Sequence, residues 1–116
     1  MTVTSTLDVG IDAAIAPMPR PPYRTLEVEV VAGGDPVRFA RIVSALVNNT
    51  PMALASVQVG DQSAYPVPAR VTPGRGPMVL TLRPRNAAEV LDRLLMEQIV
   101  AIVATTARVV DARRIP

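Results

Sequence analysis

Between Thr25 and Val47 the chain changes its apolar period once, and no other feature constrains the fold as strongly. Leu26, Val28 and Val30 alternate with Glu27 and Glu29, the period-two pattern of a strand with one buried and one solvated face. After Gly33-Gly34-Asp35-Pro36 the apolar residues Phe39, Ile42, Val43, Leu46 and Val47 recur at helical spacing, while Arg38, Arg41 and Asn48 occupy the opposite face. Asp35 suits an N-cap because its short carboxylate can accept from the first free amides, and Pro36 suits the first helical position, where no N–H is needed. The chain must therefore run strand, corner, helix, and the helix must lie back on the apolar side of a sheet. Each of the five helix side chains would contribute roughly 1.5–3 kcal/mol on full burial.

The same reading carries through the rest of the chain. Asn48, Asn49, Thr50 and Pro51 end the helix, and residues 52–61, MALASVQVGD, form a second strand closed by Gly60-Asp61. PVPARV and MVLTLRP flank the turn residues TPGRGP, which predicts a hairpin whose second arm is a strand at 78–83. Asn86 and Glu89 are spaced like a capping box, so a second helix is expected over 87–98, with Val90, Leu91, Leu94 and Leu95 apolar and Asp92, Arg93 and Glu97 on the other face. The expected core joins Phe39, Ile42, Val43 and Leu46 to Leu91, Leu94 and Leu95. The run IVAIVATTARVV is rich in β-branched residues, which favours a last strand near 100–110, followed by an exposed tail at 112–116.

Residues 1–24 read as an extended arm. Pro17, Pro19, Pro21 and Pro22 fix backbone angles that oppose both helix and central strand. The preceding Leu7, Val9, Ile11 and Ile15 are too few for a core of their own but enough to latch onto a neighbouring subunit.

Composition removes most catalytic chemistry. The 116 residues include no His and no Cys, which takes away the commonest general base, the usual zinc ligands and the thiol nucleophile. A non-enzymatic protein without metal or cofactor is the expectation, and Glu27 and Glu29 read as solvated charges. All twelve basic residues are Arg against ten acids, for a net charge of +2. Between Asp61 and Glu89 there is no acid, and Arg70, Arg75, Arg83 and Arg85 make a basic stretch fit to contact a protein partner. Tyr23, Phe39 and Tyr65 are the only aromatics, so the stacking platform of a single-strand nucleic-acid binder is missing. Gly74-Arg75-Gly76 precedes a strand instead of opening a helix and is read as a turn, not a phosphate loop. No apolar run approaches a membrane span, and Asp8 and Asp12 do not suit a signal peptide. The expected location is the cytoplasm or the interior of an assembled particle.

The order strand, helix, strand, strand, helix, strand, with room for an extra strand in the hairpin, is the split βαβ arrangement. The expected class is α+β: a ferredoxin-like βαββαβ sandwich, an antiparallel sheet with two helices on one face and an extended N-terminal arm. On LEVEVVAGGDPVRFARI, NNTPMALASVQV and MVLTLRPRNAAEVLDRLLMEQIVAIV, residues 25–111 resemble the ACT domain family, in particular the small regulatory subunits of acetolactate synthase. That resemblance implies an amino-acid site at the first strand-to-helix loop, against a second copy of the domain. Pro36 and the run Ala40, Arg41 and Ile42 match the family motif, whereas its Gly falls on Val37 and its Asp on Gly34. A second family motif falls on Pro51, Met52, Ala53 and Leu54, without its ligand-contacting Asn. The candidate ligand residues are Gly33, Gly34, Asp35 and Val37.

Two functional readings stand beside each other. One is a non-catalytic, self-associating α+β module acting as a regulatory subunit. The other is a structural subunit of a larger assembly, such as a phage virion or protein shell, using the arm and the Arg-rich hairpin as connectors. Both imply a homo-oligomer, with protein partners in the second.

Overall fold

The alternation that opens the folded part of the chain becomes a central strand. In the computed structural model, which describes residues 23–67 and 76–116, β1 spans Thr25–Ala32 and turns Leu26, Val28 and Val30 into a fully dry interior. The chain next forms helix α1, Pro36–Val47, then strands β2, Met52–Val59, and β3, Gln62–Tyr65. Strand β4, Gly76–Pro84, helix α2, Arg93–Ala104, and strand β5, Arg108–Ile115, complete it. The strands make one five-stranded sheet in the order β3-β2-β4-β1-β5 with every pairing antiparallel. The fold is α+β.

Register decides which residues meet. Leu26 lies opposite Leu82, Val28 opposite Leu80 and Val30 opposite Met78, so both central strands commit the same side to the interior. On β2, Leu54 and Val57 both point inward although three residues apart, because the pairing with β4 shifts between Leu54 and Ser56. The opposite face of the sheet carries Glu27, Glu29, Thr81, Arg83, Asp111 and Arg113, and stays in water.

Both helices cover the apolar face. Asp35 caps α1 as its sequence suggests: its Oδ1 accepts from the Val37 N–H at 3.0 Å, with Pro36 opening the helix. Phe39, Ala40, Val43 and Val47 face the sheet from α1, and Leu95, Ile99 and Val103 do so from α2, with Leu91 just before it. These side chains and the inward positions of the strands form a single hydrophobic cluster.

Several expectations change. The Asn86 carboxamide accepts from the Ala88 N–H in a local turn, and α2 begins later, where Asp92 Oδ1 accepts from the Leu95 N–H at 2.8 Å. Moving the cap moves the face of α2, where Leu94 is 64% exposed; on α1, Ile42 and Leu46 are also exposed, at 42% and 39%, on the flank beyond the buried stripe. Residues 99–104 belong to α2 and not to a strand, because Leu95, Ile99 and Val103 continue a four-residue step whose burial outweighs β-branched propensity. Strand β5 consequently starts at Arg108 and runs on through Arg113, Arg114 and Ile115, pairing with β1 where an exposed tail at 112–116 was expected. The extra strand precedes PVPARV: a two-residue turn at Gly60-Asp61, with Gly60 at φ +62°, folds β3 back on β2. Residues 1–22, including Leu7, Val9, Ile11 and Ile15, lie outside the described residues. At the start of those described, Tyr23 packs against the core and the Arg24 N–H donates to the Ile115 carbonyl at 2.9 Å.

The revised facing of α2 sets a direct comparison by chemical denaturation. Leu95→Ala should cost about 2–5 kcal/mol as a buried truncation, whereas Leu94→Ala should change stability by less than about 0.5 kcal/mol.

Candidate functional site

The strand-to-helix corner is where the backbone leaves the sheet before α1 can return over it, so side chains there cannot all be covered. A cleft of about 440 Å³ opens at this point. One wall is the end of β1 and the corner itself, Val31 through Asp35; another is the first turns of α1, with Arg38, Phe39 and Ile42. Thr106 and Ala107, between α2 and β5, close the third side. Gly34 sits at φ +93°, a left-handed conformation that glycine adopts freely, and nothing lies within 4 Å of where a Cβ would stand.

Of the four ligand residues expected from the sequence, Gly33, Gly34 and Asp35 line the cleft and Val37 does not: it packs, partly buried, against the core. The sequence reading missed Arg38, assigned only to a polar face, and Thr106 with Ala107, assigned to a strand interior. Asp35 and Arg38 place opposite charges on the same opening. Both are exposed, and neither forms an ion pair among the described residues. One Asp35 oxygen accepts from Val37, which leaves the other free to face a cation. The cleft thus joins a glycine-lined floor, an apolar patch from Phe39 and Ile42, one carboxylate and one guanidinium.

The basic connector is described only in part. Arg70 and Arg75 lie outside the described residues. Arg83 is exposed on the open sheet face opposite Ala53. Arg85 turns to the end of α1, where Nε donates to the Thr50 carbonyl at 3.1 Å and Nη2 to the Val47 carbonyl and Asn48 Oδ1, both at 3.3 Å. A cation there satisfies carbonyl groups that the helix itself leaves free. Two neighbouring arginines therefore serve different surfaces.

A second, shallower depression lies on the open sheet face between Glu27, Glu29, Val79, Asp111 and Arg113. Arg113 Nη2 donates to Glu27 Oε1 at 2.9 Å and its Nε to the same oxygen at 3.1 Å. Asp111 stands across from Glu29 without an ion-pair partner among the described residues. Among these residues no group of three or more potential ligands is placed to hold a metal ion, and no helix is long and apolar enough to cross a membrane.

No protein-family model matches the chain, and no curated protein matches it in sequence. In structure it is similar to the crystal structure of the TT0538 protein from Thermus thermophilus, with a TM-score of 0.64 at 20% identity. The likeness covers 90% of this chain and 21% of that one, so this chain spans about a fifth of that protein's length. At this identity the likeness concerns the fold.

The cleft's floor depends on the backbone of Gly34. Gly34→Ala should destabilise the fold by about 1–2 kcal/mol through its left-handed φ alone, since the space is open. Gly33→Ala, where φ is not positive, should not carry that cost, and denaturant titration of both variants separates the two.

Proposed function

We propose that this chain is a non-catalytic, self-associating regulatory module of ferredoxin-like, ACT-like type, whose strand-to-helix corner takes a small zwitterion such as a free amino acid. The observation that carries the reading is the cleft itself, at the loop where the resemblance places a ligand, with Asp35 and Arg38 on its rim. A carboxylate and a guanidinium on one opening suit an ammonium and a carboxylate on one ligand, and the apolar patch of Phe39 and Ile42 suits its side chain. Setting the edge strand β3 aside leaves the order β2-β4-β1-β5, in which the first and third of four strands are central, and this supports the ferredoxin-like assignment.

A thermal-shift series with the twenty amino acids at about 10 mM tests this. A ligand present at ten times its dissociation constant adds about 1.4 kcal/mol, worth several degrees in a domain this small. At least one amino acid should raise the melting temperature, and Arg38→Glu should remove that response without lowering the ligand-free melting point. Equal melting temperatures with all twenty would contradict the ligand site.

A further inference from the structure

The sheet ends in an edge that is complementary to itself. Strand β5 is outermost, and the Ile115 carbonyl accepts from the Arg24 N–H on the β1 side. Backbone groups alternate along a strand, so residues 111, 113 and 115 turn theirs toward β1, whereas Ala112 and Arg114 turn theirs away from the sheet. Those outward groups meet no other strand among the described residues. A second copy could pair with them antiparallel about a twofold axis, and such an axis falls on one residue if both open faces are to stay on the same side.

Charge selects the residue. Asp111 and Arg113 share the open face, opposite Glu29 and Glu27 respectively. Centring the axis on Asp111 would set Asp111 against its own copy, and centring it on Arg113 would set two guanidiniums together. Centring it on Ala112 sets Asp111 opposite the second copy's Arg113, twice by symmetry, and makes Ala112 an outward-facing hydrogen-bonded pair with itself. Opposite charges across strands stabilise and like charges destabilise. The same register relieves a local imbalance, because Asp111 lies against Glu29 with no cation of its own among the described residues while Arg113 is already shared with Glu27. The β-bulge that shifts the β1–β5 register just before Asp111 limits the new ladder to the residues that follow it.

We infer that two copies of this chain join through β5 in an isologous antiparallel ladder centred on Ala112, closed by two reciprocal Asp111–Arg113 pairs, to give one continuous ten-stranded sheet. This rests on the self-association part of the proposed function and names its surface.

Sedimentation equilibrium of the full chain across the micromolar range tests it by charge exchange. Asp111→Arg alone sets arginines against each other and should raise the dimer dissociation constant by about tenfold or more. Asp111→Arg combined with Arg113→Asp restores opposite charges in the same register and should recover dimerisation to within about threefold of the wild type. Ala112→Pro, which removes an N–H that β1 does not use, should abolish the dimer while leaving the circular dichroism of the fold in place. A wild-type dimer unaffected by Asp111→Arg and by Ala112→Pro would overturn this register and leave self-association standing on another surface. A wild-type chain that stays monomeric at several hundred micromolar would overturn both, and neither result bears on the amino-acid response of the corner.

Discussion

Everything in this fold follows from a sheet that is dry on one side only. Leu26, Val28 and Val30 on β1 meet Leu82, Leu80 and Met78 on β4 in one register, and a single-residue slip of either strand would turn its three into water. That surface cannot remain exposed, so α1 and α2 are held against it by Phe39, Val43, Val47, Leu95, Ile99 and Val103. The complementary face is then free to be polar, which is why Glu27 and Arg113 can pair across strands there at the modest energy of an exposed ion pair.

Function is pushed to the boundaries of that core. The residues that turn β1 into α1 have a structural task, yet the same turn leaves the cleft open and brings the Asp35 cap and Arg38 to its rim. At the far end of α1 the structural task is the visible one, because Arg85 donates to the Val47 carbonyl of the helix and to the Thr50 carbonyl just beyond it. Position along the chain did not distinguish these two roles. The end of the helix that each charge faces does.

What could be read in the sequence was whatever depends on local period and local hydrogen bonding. Strand β1, the Asp35 cap, the Pro36 start and the extent of α1 all rest on neighbours within four residues, and they appear where expected. The misreadings come from competition between local signals and tertiary burial. Asn86 with Glu89 resembles a cap, but Asp92 is the residue followed by Leu95, Ile99 and Val103 in four-residue steps. The β-branched run after Ile99 satisfies a strand propensity that packing overrides. Ile42 and Leu46 fit the helical period yet lie on the flank of α1 beyond the buried stripe, a distinction that needs the width of the contact with the sheet and not only its period. The third wall of the cleft, Thr106 and Ala107, is far from Arg38 in sequence and is brought there only by the antiparallel return of α2 into β5.

If the one-sided sheet is what organises the molecule, its centre should be the last part to open. Native-state hydrogen exchange, resolved by residue, measures this directly. The account predicts that the amides of Val28, Val30, Leu80 and Leu82 exchange slowest, with one common free energy equal to that of global unfolding, while those of β3 exchange sooner. Amides of β3 or of the Gly33–Asp35 corner outlasting the β1–β4 pair would contradict it.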